Sequence, residues 1–317
     1  MMGKSRREFL KAASATAVGA VISNDLLAGN LAKGNGRPLC AFTKCLQFVD
    51  FEKTGETLAF AGFDGADIPV RPGGSILPES VGTELPKAVK TLKKYGITVP
   101  MIVTAIVDAD DPLTERVLGA ASEAGIRYYR TGYLIYDPAK TIQENLDNHK
   151  RTIEKLERLN RKFNIHGAYQ NHSGTRIGGP VWDLYWLVKD CDPEYFGIQY
   201  DFCHAMVEGG VSWPLGMKLL APWIKTVDIK DFVWTKADGK WKIACVPLGD
   251  GMVDFDACLK QYILYHISGP FSLHFEYGPA EGGLSGIQSD IRRQEMANVM
   301  KKDFNWFTEK LDSHKII

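Results

Sequence analysis

Four apolar runs in the second half of this 317-residue chain close on side chains that could hold a metal ion or move a proton: Gln170 with His172, Asp201 with His204, Asp228 with Lys230, and Glu276. Carboxylates and imidazoles are the usual general acids and bases, and together with amide oxygens they also ligate divalent cations. Earlier runs close on Gln47, Arg71, Thr104 and Arg130. Packing alone does not explain hydrophobic strands that each end in a hydrogen-bonding or charged group. Singly, some of these have a scaffolding alternative, and Arg71 and Asp231 are as well suited to pairing with each other as to touching a ligand.

Such residues need a frame that brings strand ends to one place. From Pro38 onward, apolar runs of strand length alternate with segments of helical periodicity about eight times. Expected strands cover 39–47, 65–70, 97–107, 126–130, 165–170, 197–201, 224–230 and 271–276. Helices are expected between them, among them 51–63, 112–124, about 139–163, 181–188 and 255–265, with 291–311 as the last. After strand six, Gly209 and Gly210 suggest a segment broken open into a loop. Ala237-Asp238-Gly239, flanked by alternating residues, signals a hairpin inserted after strand seven. Eight such units argue for a closed (β/α)8 barrel, whose chemistry sits at the strand C-termini. An open doubly wound sheet is the alternative, but 46–50 carries no glycine-rich phosphate loop.

Thirty-eight basic and 38 acidic residues and a pI near 7.0 give no footprint for a polyanion, so nucleic acid is not an expected partner and a small neutral or weakly charged ligand is. Arg6-Arg7-Glu8-Phe9-Leu10-Lys11, followed by an apolar small-residue run, looks like a bacterial twin-arginine (Tat) export signal. The expected division is therefore a signal and linker over 1–36 and one barrel domain over 37–317, exported or periplasmic. No other run reaches the roughly 18 apolar residues of a membrane span. The six cysteines form no C-x-x-C pair and are expected to be mostly buried thiols.

Gln170-Asn171-His172, Asp201-x-x-His204, Asp228-Ile229-Lys230-Asp231 and Phe275-Glu276-Tyr277 resemble the strand-end motifs of the xylose isomerase-like barrel superfamily, over about residues 40–310. The resemblance implies a sugar isomerase or epimerase. In the family's epimerases one divalent ion is held by Glu, Asp, His and Glu, and both glutamates double as acid and base. Carried over, these positions are Gln170, Asp201, Asp228 and Glu276, with His204 and Lys230 as further site residues; the first and third depart from the pattern. The family's DNA-repair branch uses a histidine-rich three-zinc site that seven histidines, four of them outside the strand ends, do not supply.

If a metal binds, an all-oxygen set favours Mg²⁺ or Mn²⁺ over Zn²⁺. The alternative is a site in which Lys230 or an arginine neutralises the carboxylates. Gln170 has no usable pKa, so two-base epimerisation is disfavoured; Glu276 is the expected base, with His204, His172 or Lys230 as acid partner. Arg71, Arg130, His172 and Trp234 are expected to touch substrate, and Trp234 with Trp241 could form a lid or an oligomer contact. Tyr133, Tyr136, Trp182, Trp213 and Tyr277 are further candidates for stacking on a sugar. The expected reaction is proton transfer beside the carbonyl of a carbohydrate or polyol, with β-elimination from a keto-glycoside or non-catalytic sugar binding as rivals.

Overall fold

A computed structural model describes residues 37–281 and 289–317. The expected export signal lies outside the described residues. Eight parallel strands close into a barrel: β1 (Leu39–Phe42), β2 (Gly65–Val70), β3 (Thr98–Thr104), β4 (Tyr128–Arg130), β5 (His166–Gln170), β6 (Phe196–Asp201), β7 (Ile224–Ile229) and, after a hairpin, β10 (Phe271–Leu273), which pairs with β7 and β1. Strands buried on both faces explain the continuous apolar runs. All six residues of β2 and all six of β6 are buried. The helices are α1 (Phe51–Ala61), α2 (Val81–Lys93), α3 (Pro112–Glu123), α4 (Ile142–Phe163), α5 (Val181–Val188), α6 (Phe202–Gly209), α7 (Trp213–Leu220), α8 (Phe255–Leu264) and α9 (Ser289–Ser313). Arg37–Ile316 makes one compact unit.

Local chemistry sets most boundaries. Asp50 and Asp111 cap α1 and α3 by accepting backbone N–H groups at 2.8 Å, and Thr141 with Glu144 forms a capping box on α4. Asp238 and Gly239 both take positive φ, 52° and 76°, as the tight turn between β8 (Asp231–Ala237) and β9 (Lys240–Val246) requires.

Three expectations change. The first strand stops at Phe42 and a 3₁₀ turn (Thr43–Leu46) follows, so Gln47 is not at a strand end; it donates to the Gly73 carbonyl at 2.7 Å. The segment after β6 is not an open loop but α6, because Asp201 accepts the His204 backbone N–H at 3.0 Å as an N-cap. Gly209 and Gly210 end that helix. The last barrel strand is three residues long, so Glu276 sits in the loop beyond it.

Parallel register decides which side chains become neighbours. Gln170 pairs with Gln199, Asp201 with Asp228, and Asp228 with Ser272. Thus the polar residues of β5, β6, β7 and β10 share one end of the barrel. The buried cysteines 40, 45, 191, 203 and 258 behave as small core residues, and burial raises the thiol pKa of each.

Candidate functional site

The strand ends surround a cavity of about 140 Å³. Beneath it lies a buried polar cluster centred on Gln170. Its amide nitrogen donates to Asp201 Oδ2 at 3.0 Å and to Asp228 Oδ2 at 2.6 Å. Its oxygen accepts from Arg130 Nη1 at 2.9 Å and from the Tyr133 hydroxyl. Since Arg130 only donates, the Gln170 oxygen must face it, and the amide orientation is determined by its partners. Gln199 Nε2 adds donors to both oxygens of Asp228, at 2.8 and 3.0 Å, and His274 Nε2 lies 3.2 Å from Asp228 Oδ1. Burial opposes charge on His274, but Asp228 outweighs it and raises the imidazole pKa.

Lys230, 2% exposed, is the cation that meets the carboxylates of this cluster. Its ammonium stands 3.2 Å from Asp201 Oδ2, 3.3 Å from Glu276 Oε2 and 2.7 Å from His204 Nε2. Burial works against that charge, yet Asp201 and Glu276 hold the Lys230 pKa well above its usual value. The same ammonium lowers Glu276 to about 2, so the one carboxylate that lines the cavity among the described residues is an anion at any ordinary pH. Burial and then Lys230 depress His204 well below 6.5; its Nε2 accepts from Lys230, which leaves Nδ1 to carry the proton toward Ser173 Oγ at 2.9 Å. His204 therefore orients Lys230 and does not line the cavity.

His172 does line it, stacked on His204 with centroids 3.8 Å apart. Its Nδ1 lies 2.9 Å from the Ser173 carbonyl, an acceptor only, so Nε2 carries the lone pair. Burial brings its pKa down to about 4, so the imidazole is neutral at pH 7.

The structure thus brings Gln170, Asp201, Asp228, Lys230, His204 and Glu276 together, with Arg71, Arg130 and His172 around the cavity. Trp234 is not among them. It stands 43% exposed on β8, outside the cavity lining, because the hairpin carries it away from the mouth. Of the six aromatic candidates only Tyr133 lines the cavity; Tyr136 and Tyr277 direct their hydroxyls to Asp183 and Asp303, each at 2.6 Å. Asp231 is scaffolding, though not with Arg71: its carboxylate accepts the backbone N–H groups of Phe232, Gly249, Gly251 and Val253 at 2.8–3.0 Å and pins the 247–253 loop.

Lys44, Asp67, Gln199 and His274 escaped sequence reasoning. His274 had a signal, since it stands two residues before Glu276 and so on the same side of an extended chain. Asp67 had another: it is the only charged residue in β2.

Asp67 is fully buried, accepts from Ser272 Oγ at 3.0 Å through Oδ2, and has no partner for Oδ1 among the described residues. Burial is the main cause that raises its pKa from 3.8 to about 7. Between those values the folded chain keeps a proton that the unfolded chain has lost, so stability contributed below pH 3.8 is lost as pH rises through 7. Asp67→Asn is expected to remove roughly 1–3 kcal/mol of this pH dependence. Thermal unfolding at pH 5 and pH 8 reads it, and parallel profiles for variant and wild type would contradict a neutral buried Asp67.

The four positions that the resemblance assigns to a divalent ion do not fit one in this chain. Gln170 turns N–H donors, not its oxygen, toward the aspartates, and the Lys230 ammonium occupies the gap between Asp201 and Glu276. Asp201, Cys203 and His204 form a second ligand-type group, but Lys230 already contacts two of the three.

A closed eight-stranded barrel with its polar residues gathered at the strand C-termini is the architecture of a (β/α)8 enzyme scaffold. The chain belongs to the xylose isomerase-like TIM barrel family, whose model matches residues 56–303. No curated protein matches. Among solved structures, L-ribulose 3-epimerase is similar at TM-score 0.63 and 12% identity, covering 88% of this chain and 96% of its own. A xylose isomerase-like TIM barrel protein from Mycobacterium smegmatis in complex with magnesium gives 0.60 and 15%, covering 84% and 98%. The probable 3-DHS dehydratase involved in petrobactin synthesis from Bacillus anthracis gives 0.58 and 15%, covering 81% and 97%. At these identities the likeness is one of fold.

Proposed function

We propose that this barrel is a sugar isomerase or epimerase-like enzyme that moves a proton on a carbon beside a carbonyl, with Lys230 in the role that a divalent ion would otherwise fill. The observation that carries the reading is the Lys230 ammonium held between Asp201 and Glu276 at the cavity floor. A substrate carbonyl oxygen placed against Lys230 would be polarised, and the negative charge of the enediolate formed on proton loss would be stabilised there. Glu276 takes the proton. Its basicity is low while Lys230 is its main neighbour, and it rises once the ammonium turns to the substrate oxygen and water leaves the cavity. The neutral His172, with a free Nε2, is the second group able to exchange a proton with the intermediate. One carboxylate at the cavity surface supports a 1,2-shift by one base more than a symmetrical two-carboxylate epimerisation.

The experiment is solvent exchange. Ketoses and keto-glycosides incubated with the protein in D₂O should gain deuterium at the carbon next to the carbonyl, and Glu276→Gln should slow that exchange by about 10²–10⁴-fold. Full exchange in the variant removes Glu276 as the base. No exchange with any keto sugar favours a binding protein. Two product fragments in place of an isomer identify β-elimination from the same intermediate. Export by the twin-arginine route is part of the proposal and is supported by Arg6, Arg7 and the apolar run after them.

A further inference from the structure

The cavity carries a charge excess that proton transfer on a neutral sugar does not use. Among the described residues that line it, Lys44, Arg71, Arg130 and Lys230 are cations, and Glu276 is the one carboxylate. Pairing the groups by distance accounts for only part of them. Lys230 contacts Asp201 and Glu276, Lys44 stands 4.0 Å from Glu276, and His274 stands 3.2 Å from Asp228. Arg71 and Arg130 remain. Among the described residues neither has a carboxylate within 4.0 Å.

Arg130 is 5% exposed; one guanidinium nitrogen serves Gln170 and Tyr133, and its buried Nε has no hydrogen-bond partner among the described residues. The Arg71 side chain makes no hydrogen bond among the described residues; its guanidinium lies 5.8 Å from the Phe42 ring centroid. Burial, and after it the positive charge of Arg130, pull the Arg71 pKa below its usual value. Asp67 and Glu276 offset part of this from beyond contact distance, but two guanidiniums held near each other, one buried and one half-buried, with no carboxylate in contact favour a ligand that brings one. Guanidiniums present planar paired donors that match carboxylate and phosphate oxygens.

We infer that the substrate carries an oxyanion, a carboxylate or phosphate group, which binds between Arg71 and Arg130 while the carbon to be deprotonated lies toward Glu276 and Lys230. This names the substrate class within the reaction proposed above: a sugar acid or a sugar phosphate, the charged end of the neutral or weakly charged range that the overall charge balance suggested. Neutral net charge describes the whole surface, whereas the excess is confined to the lining of one cavity.

Thermal unfolding of the full chain tests it without knowledge of the natural sugar. Gluconate, inorganic phosphate and neutral mannitol are titrated at constant ionic strength, with sodium chloride as reference. Saturable stabilisation by gluconate or by phosphate, beyond both controls, is expected, since a ligand that binds only the folded state raises its midpoint. Arg71→Gln should weaken that apparent affinity at least tenfold, and Arg71→Lys should restore part of it. A response to gluconate alone identifies a carboxylate, and a response to phosphate alone a phosphate group. No shift beyond the controls, or a shift that Arg71→Gln retains in full, overturns the inference. Anion binding without deuterium exchange would sink the proposed reaction and leave this site standing; exchange on neutral sugars without anion binding would do the reverse.

Discussion

Lys230→Met is expected to abolish exchange chemistry and to destabilise the fold by about 3–5 kcal/mol, the usual cost of leaving a buried charge without its partner. Asp201 is fully buried, and the ammonium at 3.2 Å is its nearest cation. Burial already raises the Asp201 pKa and Lys230 opposes that rise. With the ammonium gone, the Gln170 amide and the His204 backbone N–H are the hydrogen bonds left to the Asp201 carboxylate among the described residues. The penalty should shrink as pH falls, because a protonated Asp201 needs no cation. Denaturant unfolding at pH 7 and pH 4.5 reads this, with the larger loss at pH 7. Lys230→Arg should not rescue, since a residue 2% exposed among His204, Asp201 and Glu276 has no room for a guanidinium. Wild-type stability in the methionine variant would mean that the Asp201–Lys230 pair does not hold the floor of the cavity.

Gln170→Glu is expected to change the site from one held by the protein's own donors to one that needs a divalent ion. The substitution deletes the two N–H donations, at 3.0 and 2.6 Å, to Asp201 and Asp228 and puts a third carboxylate between them. Arg130 would compensate on one side only. Hydrogen bonds to charged acceptors are worth about 1.5–3 kcal/mol each, so a loss of roughly 3 kcal/mol in the presence of chelator is expected. Millimolar Mn²⁺ or Mg²⁺ should restore much of it, because the new donor set consists of carboxylate oxygens. The wild-type protein should show no such response. A wild-type midpoint that rises with Mn²⁺ as much as the variant's would contradict the assignment of Lys230 and Gln170 as the groups that satisfy these aspartates.

Both expectations turn on chemistry that the family pattern does not predict. The metal-binding arrangement implied by resemblance and the arrangement in this chain use the same strand ends. The difference lies in where the protons are: an amide nitrogen and an ammonium face the aspartates where a cation would be coordinated. The sequence admitted this alternative through Lys230, but could not choose, because Gln170 offers either its oxygen or its nitrogen and only its neighbours decide which.

What the sequence by itself determined is the barrel and the membership of its mouth. Alternating apolar runs and helical stripes identified all eight barrel strands, and the rule that chemistry follows strand C-termini picked out Gln170, Asp201, Asp228, Lys230 and Glu276, with Arg71, Arg130 and His172 beside the cavity they underlie. Local signals suffice for this because strand and helix periods are short-range properties. Tertiary structure decided the rest. It alone shows that Asp201 caps α6, that His204 faces Lys230 and not the cavity, that Trp234 is carried outward on the hairpin, and that Lys44 and His274 line the cavity. Those outcomes depend on the register between strands far apart in the chain and on which donor reaches which carboxylate first. No residue's type or spacing records that competition; it is settled only when the barrel closes and water is removed from its end.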